Sequence, residues 1–401
     1  GSGELSRVTD VVFDDSVVAA SVLHVSAGAE APTGLRAVGV TGDCVVDVEV
    51  VDPRAPARAD GAAAVTELVL DRIAALVGPK GLMTDTSDMA PYLVDQRNTY
   101  HGATPMVVRP ASTAEVAAVV ALCNETGTPI VPQGGNTGLC GAATPSGDGS
   151  ELLVSLTRMN RIREIDALNF TLTAEAGVIL ADIQKAADEA DRLFPLSLGA
   201  EGSARIGGNL STNAGGTGVL RYGNARDLML GLEVVLPDGR IWDGLSALRK
   251  DNTGYDLKHL FIGSEGTLGV ITAAVLALTP APKDRVTAMA TADNWQDLLK
   301  LFAIMRSHLA GSLVAFETFT GLGMEITARH VDDVIDPFTE PAPLYALIET
   351  VCYGDAAAVR EALEPGLGEA FEQELVGDAV IAESGPQADN LWRIREGLPE
   401  A

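Results

Sequence analysis

Cationic side chains are scarce in this 401-residue chain. It carries 28 Lys and Arg against 55 Asp and Glu, a formal net charge of −27 and a sequence pI near 4.4. Such a chain repels phosphate backbones and anionic lipid, which excludes nucleic-acid and membrane-surface binding. A small anionic ligand would need a local cluster of donors that overrides the global field. Cysteine is also sparse: Cys44, Cys123, Cys140 and Cys352 lie far apart with no C-x-x-C pair. That excludes a disulfide scaffold or zinc ribbon and fits a reducing compartment. There is no basic leader followed by an apolar run, and the long uncharged stretches Thr126–Gly147 and Gly266–Pro282 are broken by Gly, Pro, Thr and Asn. The expectation is a soluble, cytoplasmic protein. Its opening Gly1-Ser2-Gly3-Glu4, without an initiator Met, reads as a tag remnant or a fragment edge.

The familiar nucleotide and metal motifs are missing as well. No Gly-Lys dipeptide exists, so there is no P-loop. The G-x-G pairs Gly147/Gly149, Gly216/Gly218, Gly321/Gly323 and Gly366/Gly368 lack the further Gly of a Rossmann loop. H-E-x-x-H is absent, and His24, His101, His259, His308 and His330 show no ligand spacing.

Glycine is what the chain has in excess, with 42 residues. They cluster at Gly134–Gly141, Gly199–Gly223 and Gly263–Gly269. Clustered Gly means that backbone approaches something closely, or that the chain turns with positive φ. The first cluster, Pro132-Gln133-Gly134-Gly135-Asn136-Thr137-Gly138-Leu139, follows a strand at Ile130-Val131. Successive amides there can face one concavity and bind phosphate oxygens without a cationic side chain, with Gln133, Asn136 and Thr137 as added neutral donors.

Residues 1–60 are rich in Val, Ala and Asp and end in a linker-like Pro/Ala/Arg stretch, an extension with no assigned role. From Val65 the pattern sharpens. A helix over Val65–Val77, a strand at Met106–Arg109, a capping box at Ser112–Glu115 opening a helix through Cys123, and a strand at Ile130-Val131 compose a β-α-β unit. Strands at Leu152–Leu156 and Thr171–Glu175, a helix from Leu180 to Asp191, a hairpin at Pro237-Asp238-Gly239 and a strand over Val270–Leu278 follow. Pro280 and Pro282 mark a boundary, after which alternating strands and helices suggest an α+β second domain.

Taken in order, P-Q-G-G-N-T-G-L, I-G-G-N-x-x-T-N-A-G-G (Ile206–Gly216), L-R-Y-G (Leu220–Gly223), G-L-E-V-V-L-P-D-G (Gly231–Gly239), R-K-D-N-T-G-Y-D-L (Arg249–Leu257) and L-F-I-G-S-E-G-T-L-G (Leu260–Gly269) resemble the FAD-linked D-2-hydroxyacid dehydrogenases. Within that family the chain is most similar to the D-2-hydroxyglutarate and D-lactate dehydrogenases, from about Gly81 onward. The resemblance implies an α+β chain with a PCMH-type, two-subdomain FAD-binding domain over residues 61–282 and an incomplete ferredoxin-like cap over 283–401. It places the FAD phosphates on Pro132, Gln133, Gly134, Gly135, Asn136, Thr137, Gly138 and Leu139. Leu198, Gly199, Gly207, Gly208, Asn209, Thr212, Asn213 and Gly216 would line the flavin and ribityl region, with Glu265, Gly266, Gly269 and Ile271 at the ring or adenine side. Relatives that bind FAD covalently use a His in the first loop. None is present here, so FAD is expected to be non-covalent.

The implied reaction oxidises a D-2-hydroxy acid, D-2-hydroxyglutarate or D-lactate, to the 2-oxo acid, with hydride passing to flavin N5. Electrons would leave to electron-transfer flavoprotein or quinone, and a homodimer is one assembly open to the chain. Arg395, in Leu391–Glu396, would bind the substrate carboxylate through its fork; read without the resemblance, it is a helix ion pair. Pro399 stands where hydroxyglutarate-specific relatives carry a hydroxyl. The family's divalent metal ligands and catalytic His belong to an H-x-G-D-G-N-x-H segment and a Glu-His pair expected only beyond Ala401. A non-catalytic FAD-binding module and a glycolate-oxidase-type subunit are the competing readings. Glu317 and Glu349 read as solvated strand ends, and Cys140 as a small packed residue.

Overall fold

The computed structural model describes residues 65–354 and 356–398, together with the backbone of two strands nearer the start. The chain divides into two compact units, Gly1–Ala63 and Ala64–Ala401. In the first, Leu35–Thr41 pairs antiparallel with Cys44–Val50, a hairpin that the composition of this stretch does not announce. Pro399 lies outside the described residues.

The second unit begins with a four-stranded sheet in the order Leu82–Met83, Val107–Val108, Leu152–Ser155, Ile130–Gln133, the last three parallel. Leu152–Ser155 lies at the centre and is buried at every position, as a parallel strand covered on both faces should be. The helix Thr113–Thr126 connects two of these strands. Ser112 Oγ accepts from the Glu115 amide, the Glu115 carboxylate accepts from the Ala111 amide, and Gly127 ends the helix with φ 67°. Val116, Val119, Val120 and Cys123 form its buried stripe.

A five-stranded antiparallel sheet follows, ordered Ile241–Gly244, Met229–Val235, Val270–Ala277, Thr171–Glu175, Ile162–Asp166. One continuous core joins both sheets, from Ile73 and Val119 on one side to Leu232 and Leu276 on the other. Buried acids reinforce the junction. Glu175 is 1% exposed and takes Arg161 and Arg163, while Glu233 takes Arg163, Thr113 of the helix and Thr272 of the neighbouring strand. Burial is the largest single influence on the Glu175 carboxyl and works against its charge, but the hydrogen bonds from Arg161 and the charges of Arg161 and Arg163 together outweigh it and hold the group below the usual carboxylate range.

The C-terminal sheet runs in the order Leu313–Thr320, Leu344–Cys352, Asp284–Ala292, Ala379–Ile381, all antiparallel. In chain order that is 2-3-1-4, with helices after the first and third strands, which is the ferredoxin-like arrangement the resemblance implies. The helices Trp295–Leu309 and Ala356–Glu372 cover one face. The other face packs on Met324 of Gly321–His330 and on Leu391 and Ile394 of Gly385–Gly397. No helix among the described residues is long and apolar enough to cross a membrane.

Candidate functional site

The three glycine clusters, far apart in sequence, converge where the two N-terminal sheets meet. A Cβ added at Gly135 would collide with the Ser203 carbonyl, and one at Gly266 would stand 2.5 Å from Pro132 Cγ. Glu265 donates its amide to Ser211 O at 2.9 Å and Gly263 its own to Leu210 O at 3.1 Å, so the third loop hangs on the second. Asn136, Asn213 and Glu265, one from each cluster, all hold left-handed backbone with φ 50–55°. Non-glycine residues adopt that region sparingly, and three of the nine that do so among the described residues stand here.

Between the loops lies a groove walled by Pro132, Gln133, Gly134, Gly207, Gly208, Thr212, Glu265, Gly266, Gly269 and Ile271, all anticipated from sequence. Ala142, Ala143, Leu156, Ala176, Ser211 and Val270 complete the wall. Those six are small or apolar residues with no chemical signal that sequence reading could have caught. Gly135 instead lies under Ser203. Asn136, Thr137, Gly138, Leu139, Leu198, Gly199, Asn209, Asn213 and Gly216 are not on its wall.

Two side chains do other work than the expected donation to a phosphate. Gln133 Nε2 donates to Tyr92 O and Ala143 O, both at 2.8 Å, and Asn136 Nδ2 donates to Val94 O at 2.7 Å and Pro91 O at 3.4 Å. Their amide protons are spent tying the loop to the helix Thr86–Leu93, an element the sequence reading did not anticipate. That helix opens at Asp85, whose carboxylate caps the Ser87 amide. Thr212 likewise turns its hydroxyl onto Gly208 O. None of the backbone amides of Gly134 to Gly138 donates to a backbone carbonyl among the described residues. These main-chain N–H groups are thus free of backbone acceptors and are of the kind that phosphate oxygens accept from. Asn209 is 6% exposed and its Oδ1 is buried without a partner, a vacant acceptor next to Gly208. Amide donors, an orphaned acceptor and glycine-thin walls fit a dinucleotide cofactor.

A larger cleft of about 1150 Å³ lies between this region and the C-terminal sheet. Pro195, Ser197, Glu201 and Tyr222 form one wall, and Arg285, Glu349, Trp392 and Glu396 the other. Glu349 is no solvated strand end. It lies inside the strand Leu344–Cys352 and is 5% exposed, accepting from Trp392 Nε1 at 2.6 Å and Arg285 Nη1 at 3.4 Å. Burial pushes its carboxyl upward. Burial, then the like charge of Glu201, does the same to Glu396. Tyr222, from the L-R-Y-G word, meets Tyr353 of the C-terminal part hydroxyl to hydroxyl at 3.0 Å, and burial pushes its phenol up to about 12.

Arg395 is on neither wall. Its Nε and Nη2 pair with Glu317 Oε2 at 2.7 Å, an ion pair between the helix Gly385–Gly397 and the strand Leu313–Thr320, which leaves Nη1 for another acceptor. Cys140 is exposed rather than packed, whereas Cys123 and Cys352 are buried, and burial pushes the Cys123 thiol up to about 11. His259 sits against Asp256 at 3.4 Å. Among the described residues, no three His, Cys, Asp or Glu side chains gather as a metal would require.

Comparison with known proteins bears on this geometry. Residues 104–244 match the family model described as FAD binding domain, and residues 281–401 the model for the C-terminal domain of FAD linked oxidases. A probable mitochondrial D-2-hydroxyglutarate dehydrogenase of Oryza sativa subsp. indica is 42% identical over 329 residues, 81% of this chain and 58% of the relative. The Danio rerio D-2-hydroxyglutarate dehydrogenase is 41% identical, over 80% of this chain and 60% of the relative. A putative mitochondrial D-lactate dehydrogenase of Schizosaccharomyces pombe is 36% identical, over 87% and 66%. The chain thus spans about three fifths of the length of the first two. Among solved structures, alkyldihydroxyacetonephosphate synthase superposes with TM-score 0.65 at 19% identity, over 83% of this chain and 63% of its own. p-Cresol methylhydroxylase superposes with TM-score 0.63 at 19% identity, over 82% and 68%. The fold is therefore the PCMH-type fold that the sequence resemblance implies. One expectation is overturned: these dehydrogenase relatives are named mitochondrial, against the cytoplasmic location inferred from cysteine usage and the missing leader. With both domains matched in order, the chain belongs to the FAD-linked oxidase family of flavoproteins.

Proposed function

We propose that this chain binds FAD without a covalent link and serves the oxidation of a D-2-hydroxy acid, D-2-hydroxyglutarate or D-lactate, to the 2-oxo acid. The observation that carries the reading is the meeting of three glycine segments around one glycine-walled groove, in a chain about 40% identical to dehydrogenases of such acids. Residues 61–282 act as the flavin domain and 283–401 as the cap. The groove wall and the loop Gly134–Leu139 hold the phosphates and ribityl chain. Leu198 and Gly199, next to Ser197 and Glu201, bring the flavin end to the large cleft. Bound FAD supplies the hydride acceptor.

The protein's own part is to hold the substrate and keep water out. Arg395, paired with Glu317 off the cleft walls, is the cation the family resemblance implies for the substrate carboxylate, and its Nη1 would turn towards the cleft to meet it. Trp392 supplies an apolar wall, and Glu349 fixes its indole by accepting from Nε1. We assign neither the proton-accepting base nor a metal ligand to any described residue. Electrons would pass to electron-transfer flavoprotein or quinone. A Saccharomyces cerevisiae relative, 37% identical, is named a D-2-hydroxyglutarate–pyruvate transhydrogenase, which makes a 2-oxo acid a further acceptor to assay.

The test is anaerobic. Purified protein loaded with FAD should bleach when D-2-hydroxyglutarate or D-lactate is added. A sample that stays yellow with either acid favours the second reading, a flavin-binding module without turnover. A colourless sample after incubation with FAD removes both.

A further inference from the structure

The glycine-walled groove contains no Lys or Arg in its wall and does contain Glu265, in a chain of net charge −27. A diphosphate placed there faces a repulsive field that neutral amides answer only locally. Arg205, which the sequence reading passed over, stands at the convergence of the loops. It directly precedes Ile206-Gly207-Gly208, and its Cβ is 3.6 Å from where a Cβ at Gly134 would be. Its neighbours Ser203 and Ala204 are the residues that press on Gly135. The Arg205 guanidinium is only partly satisfied: Nη1 donates to Gly177 O, while Nε is buried with no partner. Asp182 and Tyr92 are the groups that favour its charge, and neither is within hydrogen-bonding distance of it. A half-buried cation with a buried, unpaired Nε–H is costly in a folded protein unless a ligand completes it.

We propose that Arg205 is the cation that faces the cofactor diphosphate, completing its hydrogen bonding on phosphate oxygens when FAD is bound. The inference rests on the FAD reading above and adds a charged contact to a site otherwise built from neutral amides. Burial, which lowers the proton affinity of the guanidinium, agrees with a group that a neighbouring anion would steady.

The test compares FAD affinity, read by quenching of flavin fluorescence, in the wild-type chain, Arg205→Gln and Arg205→Lys, alongside the thermal midpoint of each protein without cofactor. A charge role predicts that Arg205→Gln weakens FAD by about tenfold or more, that Arg205→Lys falls between, and that the cofactor-free midpoints stay together. Inorganic pyrophosphate should compete with FAD in the wild type and far less in Arg205→Gln. Unchanged FAD affinity in Arg205→Gln overturns the proposal. So does equal loss in both variants with lowered midpoints, which would mark Arg205 as a prop for Gly177 alone. If Arg205→Gln does not fold, Arg205→Met takes its place under the same outcomes: lost FAD affinity with pyrophosphate no longer competing supports the charge role, and unchanged affinity overturns it. A wild-type chain that takes up no FAD fails earlier, and that failure belongs to the FAD reading itself.

Discussion

Gly208 and Gly135 show how two glycines of one site carry different burdens. A Cβ at Gly208 meets nothing within 4 Å, and the residue lies within the short helix Ile206–Ser211. Alanine there fills only space left for a ligand, and in a helix it is favoured over glycine by about 0.5–1 kcal/mol. Gly208→Ala should therefore keep or raise the thermal midpoint of the cofactor-free protein while reducing FAD uptake, measured by absorbance after gel filtration. Gly135→Ala should instead lower the midpoint, because its new methyl group strikes the Ser203 carbonyl. Gln133 makes the complementary case. Its amide satisfies two carbonyls at once, so Gln133→Ala should cost about 1–3 kcal/mol, with urea unfolding as the measure. From sequence these residues look alike as site candidates, and only the partners of each atom separate a prop from a contact.

At the scale of elements, the sequence was most readable where the pattern is local. The capping box at Ser112, the Gly127 stop and the turn at Pro237–Gly239 lie where the spacing puts them, since each is decided by a few neighbouring side chains. The helix Thr86–Leu93 escaped notice because Pro91 sits inside it, and propensity counts against a helix there. Tertiary bonds from Gln133 and Asn136 to its last carbonyls override that count. Glu349 escaped for the opposite reason. A carboxylate at a strand position reads as solvated until the helix Gly385–Gly397 brings Trp392 over it. Its raised carboxyl has a signed consequence. The folded state holds the proton more tightly than the unfolded chain, so stability falls as pH rises from the ordinary carboxylate range through the folded value. Glu349→Gln, which still accepts from Trp392, should be more stable than wild type near neutral pH, and the gap should close in acid. Thermal melts across about pH 4–8 would check it. Glu175 and Glu233, held low by Arg161 and Arg163, have the opposite slope but are common to both proteins and cancel in the difference.

At the scale of the whole molecule, the meeting of distant glycine segments was legible only through a family resemblance. Spacing alone says that backbone is exposed in three places, and says nothing about those places sharing one groove. The charge balance, in contrast, is plain from composition and separates arrival of the cofactor from its retention. FAD approaching a chain of net charge −27 is repelled over distances at which salt screens well. Inside a narrow groove whose wall carries no Lys or Arg, few mobile ions compete for the bonds already made. Added potassium chloride should therefore speed FAD association and leave dissociation nearly unchanged, a response that stopped-flow fluorescence would read directly. Flavin capture by this protein would then be quickest in a concentrated electrolyte, the reverse of what a phosphate site built from lysines displays.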